Sequence, residues 1–222
     1  MKRSKQLLGA VSTIALIAFS ASPALAGGST AGSSITNNVS VSFDVGGVTQ
    51  TAVTASNTFT VDRKIDVLVD FAGTAATSVA PGAQNQVLAF DVTNLSNAVV
   101  DIRLAAALNA GNAANIANFE VYRDTNGDRS LSAAELATGP ITYLDEVAAD
   151  GTVAVIVIAD IGLGAVNGNE FDVVLTGTAR EGGTAGTQGA AITQTAGANT
   201  AGVDTVFTDG AGTTDAARDG AY

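Results

Sequence analysis

Apolar residues fall at every second position through much of this chain. Val39, Val41, Phe43 and Val45 alternate with Asn38, Ser40, Ser42 and Asp44, the signature of a strand with one buried face. Gly46-Gly47 reads as a tight turn into a second strand, Val48 to Val53. Phe59-Thr60-Val61 follows, and then Ile65, Val67, Val69 and Phe71 alternate again. A second set opens after Pro81-Gly82. Leu88, Phe90 and Val92 share one face, Asn94 to Asn97 turns the chain, and Val100, Ile102 and Leu104 return. Phe119 and Val121 lead into a polar loop. Thr152 to Ile158 is almost continuously apolar and β-branched, as a central strand requires, and Phe171, Val173 and Leu175 alternate once more.

Many short strands punctuated by Gly, Asn and Pro, with no amphipathic helix longer than a turn or two, predict an all-β fold, an antiparallel β-sandwich. The Ala-rich stretch Leu104 to Ala117 is expected to be partly helical. From Thr184 the chain turns to Gly, Ala, Thr and Asp, with Ile192, Val203, Val206 and Phe207 as isolated apolar residues. The expected organisation is a sandwich over 27–195 and an acidic tail over 196–222. That tail is too poor in apolar content to order alone, and is expected to be flexible or attached at a sheet edge.

The first 26 residues stand apart. Lys2, Arg3 and Lys5 precede an apolar run from Leu7 to Phe19, then Pro23 and Ala24-Leu25-Ala26. This is the three-part pattern of a secretory signal peptide, with cleavage expected after Ala26. The run is shorter than the ~20 residues that span a bilayer. The expected location is therefore secreted or cell-surface.

Composition narrows the chemistry. The chain carries 10 Lys and Arg against 21 Asp and Glu; three of those ten lie in the leader, so the remainder is strongly acidic. Such a charge disfavours nucleic acid and favours cations. There is no His and no Cys. Disulfides, thiol nucleophiles, catalytic triads and zinc or copper sites are thereby ruled out, and any metal must bind through oxygen. Lys64 is the one lysine after the leader, and Trp is absent, which leaves poor platforms for sugar rings. The chain is expected not to be an enzyme.

One stretch carries candidate chemistry: YRDTNGDRSLSAAEL, Tyr122 to Leu136. A calcium loop of the EF-hand kind needs oxygen ligands at positions 1, 3, 5, 7, 9 and 12. Counted from Asp124, these are Asp124, Asn126, Asp128, Ser130, Ser132 and Glu135, with apolar Leu131 at position 8. The sixth position, where Gly makes a sharp turn, holds Arg129. The competing reading is a polar turn followed by a capping box, Ser132-Ala-Ala-Glu135, that starts a short helix without metal. The wording resembles the calcium loops of dockerins and of the B-type repeats of staphylococcal Ser-Asp adhesins. A structural calcium ion is the expectation. Asp145, Glu146 and Asp150 are weaker candidates, as are the tail residues Asp204, Asp209, Asp215 and Asp219. Arg63-Lys64 reads as a polar strand junction.

Three longer stretches carry a wider resemblance: SVSFDVGGVTQTAVTASNTFTVDRKIDVLV, APGAQNQVLAFDVTNLSNAVVDIRL and AGVDTVFTDGAGTTDAARDGA. They are similar to a recurring module of Gram-negative cell-surface proteins, the Ig-like conserved-repeat domains of unknown function. The resemblance implies an Ig-like sandwich on an exported protein and brings no catalytic residues. The function expected is that of a structural or adhesive surface protein whose partners are other surface or matrix proteins, or itself. Two alternatives stand beside it: a fibre subunit donating a strand from Gly27 to Val45, and a calcium-dependent glycan-binding module.

Overall fold

A computed structural model describes residues 28–73, 76–197 and 199–208, and by its backbone alone the strand 216–221. The expected signal peptide lies outside the described residues. Fourteen strands are seen among them: β1 (Ser34–Val41), β2 (Asp44–Val45), β3 (Val48–Thr49), β4 (Val53–Thr60), β5 (Arg63–Ile65), β6 (Val67–Phe71), β7 (Gln86–Asn94), β8 (Val100–Ala110), β9 (Ile116–Arg123), β10 (Tyr143–Val147), β11 (Thr152–Ile161), β12 (Asp172–Glu181), β13 (Thr205–Phe207) and β14 (Ala216–Ala221). One short helix, α1 (Ala133–Thr138), lies between β9 and β10. No described helix is long and apolar enough to cross a membrane.

Two four-stranded antiparallel sheets form the sandwich, ordered β6-β7-β11-β9 and β10-β8-β12-β14. Lettered along the chain, the first occupies the A-B-E-D places of a constant-type immunoglobulin sandwich, and β8, β12 and β14 its C-F-G places. β10 is an addition, entering between the D and E places to pair with β8. The expected sandwich is therefore what forms.

Alternation explains which side chains meet. Phe90 and Val92 from β7, Val155 and Val157 from β11, Ile102 and Leu104 from β8, and Val173 and Leu175 from β12 join one buried cluster. The intervening residues of β11, Ile156 and Ile158, face outward but are covered by Tyr122, Val87 and Leu131 in a second cluster. A strand buried on both faces must be apolar at every position, which is why Thr152 to Ile158 lacks polar alternation.

The Ala-rich stretch behaves differently from expectation. β8 runs to Ala110, and only a 3-10 turn, Ala113–Asn115, interrupts the approach to β9. Ala favours helix when nothing else decides. Here a ladder with β12, Leu104 opposite Gly177 and Leu108 opposite Val173, decides instead.

Polar residues fix one pole of the sandwich. Asn94 is fully buried; its carboxamide accepts from Ser96 N and donates to the carbonyls of Ala98 and Val147. Ser96 Oγ accepts from Asp66 N, and Asn97 accepts from Lys64 N while donating to the carbonyls of Ser29 and Asp62. Arg63 reaches Glu181 and Thr205, binding β5 to β12 and β13. The junction read at Arg63-Lys64 is thus a cross-link. Phe207 joins the core, and β14 lines the edge of β12, so these C-terminal segments are attached to the sandwich.

β1 to β4 form a separate ribbon. β1 pairs with β4 and β2 with β3 around Gly46-Gly47, whose φ of 61° and 83° suit the left-handed turn that joins strands of natural twist.

Candidate functional site

The loop from Asp124 to Glu135 is built at the end of a central pairing. Asp124 N donates to Ala154 O, prolonging the β9–β11 ladder by one residue and burying the Asp124 side chain to 6 % exposure. Its two carboxylate oxygens then gather the loop: Oδ1 accepts from Gly127 N at 2.6 Å and Oδ2 from Arg129 N at 3.1 Å. Asn126 Oδ1 accepts from Asp128 N, and Asp128 Oδ1 from Ser130 N, each two residues on. These are the short-range turns that Asn and Asp make readily.

Arg129 takes the left-handed conformation expected of a Gly, with φ of 63°. Its guanidinium does not stay over the loop. It reaches Asp91 on β7, at 2.7 and 3.0 Å, in a forked ion pair. Leu131, the apolar residue at position 8, tucks into the outer cluster with Ile156 and Tyr122.

The loop closes on Glu135, whose side chain is 1 % exposed. Oε2 accepts from Ser132 N and Oγ, completing the capping box, since Ser132 Oγ also accepts from Glu135 N. Oε1 accepts from Thr125 N at 2.7 Å and from Thr125 Oγ1. The last position of the loop is therefore fastened directly behind the first. The amides of Ser132 and Thr125 and the Ser132 hydroxyl pull the Glu135 pKa down to about 2, against the opposing effect of burial. It is an anion throughout the physiological range.

The two readings of this stretch are thus superimposed. The capping box is made, and all six candidate ligands, Asp124, Asn126, Asp128, Ser130, Ser132 and Glu135, lie on one closed loop, but the carboxylates of Asp124, Asp128 and Glu135 do not all converge to within 4.8 Å of one another. The four acceptor positions of Glu135 are filled by two amides and two hydroxyls. Amides are fixed by the backbone, but hydroxyls rotate. A hard cation at Glu135 would take the place of the Ser132 and Thr125 hydroxyl hydrogens, and the loop would have to draw the Asp124 and Asp128 carboxylates in towards Glu135 as well. The donor set, carboxylates and neutral oxygens alone, is of the type that suits a hard cation.

A second group of carboxylates was only half foreseen. Asp101, Asp145 and Glu146 bring ligand oxygens within 4.8 Å of one another, close enough to hold a metal ion. Asp101, on β8, joins the other two through the β8–β10 pairing and carries no local signal in the sequence. Backbone amides already occupy the group: Glu146 N and Gly189 N donate to Asp101, Gly186 N to Asp145, and Gly183 N and Thr184 N to Glu146. Asp150 is not in the group. Asp204, buried, accepts from the Thr200 hydroxyl and amide, which hold its carboxyl below the usual range. Asp209 and Asp215 lie outside the described residues, and Asp219 is described only as part of the β14 backbone.

Comparison with family models, with curated proteins and with solved structures gave no match.

Proposed function

We propose that the chain works outside the cell as a non-catalytic structural or adhesive module, its sandwich fastened by one calcium ion in the loop from Asp124 to Glu135. The observation that supports this most directly is the way the loop is tied down. Asp124 continues the β9–β11 ladder, Leu131 packs on the outer face of β11, and Arg129 grips Asp91 on β7. An ion bound in such a loop is coupled to three strands of one sheet, so its binding energy becomes stability of the sandwich. At a hundredfold excess of ion over its dissociation constant, that linkage is worth about 2.7 kcal/mol.

Thermal unfolding with chelator, with calcium and with magnesium tests the reading. Calcium alone should raise the melting temperature, and Asp128→Ala should abolish the rise. Asp128 is exposed and bonds only within the loop, so its loss leaves the metal-free fold nearly unchanged. A melting curve indifferent to calcium, with no heat of binding, reduces the loop to a capped turn.

A further inference from the structure

The ribbon β1–β4 has two unlike faces. The register places Ile35 opposite Phe59, Val39 opposite Ala55 and Val41 opposite Val53 on one face, which the pair Asn37 and Asn57 interrupts between the first and second of these. Thr36 opposite Thr58, Asn38 opposite Ser56 and Ser40 opposite Thr54 make the other, with a Thr36–Thr58 hydroxyl bond across it. The apolar face lies open: Val39, Val41 and Val53 are 54 to 62 % exposed, and Phe43, Val45 and Val48 extend the apolar surface towards the tip. A lone two-stranded ribbon is marginal in water, and contiguous exposed apolar surface marks an interaction site.

The opposite pole of the sandwich carries a matching deficiency. The ribbon is rooted beside the β7–β8 turn, where Ala31 N donates to Asn97 O and Asn97 Nδ2 donates to Asp62 O. At the far end of the same strands a cleft of about 820 Å³ opens between the sheets, lined by Val79, Leu88, Ile116, Ile161, Val166 and Phe171. The sheet is incomplete beside it. β6 stops at Phe71 opposite Phe90, whereas β7 starts at Gln86. Ala72 N adds one bond to Ala89 O, and Gln86–Leu88 then have no strand on that side among the described residues. Leu163 and Val166, near the mouth, are exposed.

We propose that the apolar ribbon of one copy of this chain inserts at the cleft of a second copy, pairing along the free edge of β7 and seating its apolar side chains between the sheets. The proposal rests on the reading of the chain as an extracellular structural module and names its partner. The occupant is another copy because the ribbon is rooted at the end of β7 opposite its own cleft, roughly 27 Å distant along the nine residues of that strand. A strand supplied from outside is what an exposed sheet edge accepts. Donor and acceptor sit at opposite poles, so the contact is head-to-tail and open-ended, and repetition builds a filament.

Two variants separate the halves of the contact in the chain from Gly27 onward. Val41→Asp puts a charge on the ribbon, and Val166→Asp puts one on the cleft rim; both positions are exposed, so the fold tolerates them. Sedimentation and electron microscopy should show the parent forming polymers that lengthen with concentration, and each variant alone staying monomeric. Mixed in equal amounts, the variants should give dimers that grow no further, because one intact ribbon meets one intact cleft. A parent that stays monomeric at high concentration overturns the proposal, including one whose cleft takes up an apolar dye instead. Variants that polymerise like the parent, or a mixture that gives no dimer, overturn it equally. Calcium-dependent melting of the two monomeric variants, measured alongside, reports on the loop alone. A calcium response without polymers therefore fails this proposal and leaves the module reading standing, and polymers without a calcium response do the converse for the metal.

Discussion

β7 and β1 carry nearly the same pattern and meet opposite fates. Leu88, Phe90 and Val92 alternate with polar or small residues just as Val39, Val41 and Phe43 do. Yet Phe90 and Val92 are completely buried, while Val39 and Val41 stand more than half exposed. Alternation says that one face of a strand is to be covered; it does not say by what. In β7 the cover is the chain's own second sheet. In the ribbon no described part of the chain supplies it, and that is what makes the ribbon a candidate for contact with another molecule.

The sharpest way to break this comparison is to remove one ring from each region. Phe90→Ala leaves a cavity among Phe71, Val92 and the facing sheet, and should cost about 3–5 kcal/mol in chemical denaturation. Phe59→Ala, in the ribbon, should change the stability of the monomer by about 0.5 kcal/mol or less, because its ring is half exposed already. Equal losses at both sites would mean that the ribbon face is covered in the isolated chain, and the contrast would fail.

Calcium sharpens the same contrast with a somewhat smaller effect. Saturating ion should slow amide exchange in β9 and β11, and in β7 through Arg129 and Asp91, by the factor that about 2.7 kcal/mol implies. The ribbon strands pair only with one another among the described residues and should exchange at an unchanged rate. Protection appearing in the ribbon instead would place the ion elsewhere.

Acid gives a third separation. Glu135 has its folded pKa lowered from 4.5 to about 2. A depressed carboxylate stabilises the fold fully above its unfolded value, and that contribution is lost as pH falls from about 4.5 through about 2. The sandwich should therefore weaken over this window. Glu135→Gln, which keeps the shape but not the charge, should flatten the loss when melting temperature is followed against pH. Identical acid profiles for parent and variant would show that other carboxylates govern the transition.

How much of this could be read beforehand follows from the range of the forces involved. Strand identity and the Gly46-Gly47 turn depend on side-chain alternation and local backbone freedom, so the sequence shows them plainly. So does the capping box, because Ser132 and Glu135 are three residues apart. The fate of Leu104 to Ala110 is not local: the same alanines satisfy a helix or a strand, and β12, some seventy residues later, chooses. Asp101 escaped notice for the same reason, being brought to Asp145 and Glu146 only by strand pairing. Asn94 and Asn97 look like turn residues and are that, but their buried carboxamides also tie together the strands around them.

The smallest predicted effect returns to a conformation that both regions share. Gly46 in the ribbon and Arg129 in the loop have almost the same φ, 61° and 63°. Gly46 adopts it without penalty, whereas a side chain there costs about 1 kcal/mol. Arg129 recovers part of that through Asp91, in a half-exposed pair worth about 0.2–1 kcal/mol. Arg129→Gly therefore relieves strain, loses an ion pair and loosens the unfolded chain, and its net effect on metal-free stability should stay within about 0.5 kcal/mol. Calcium affinity is where the substitution should tell. Removing a cation beside the loop should tighten binding by up to about tenfold in calorimetry, or 1.4 kcal/mol. Unchanged or weaker binding would mean that Asp91 already holds the guanidinium out of the site's field, and that Arg129 is a brace between loop and sheet with no bearing on the ion.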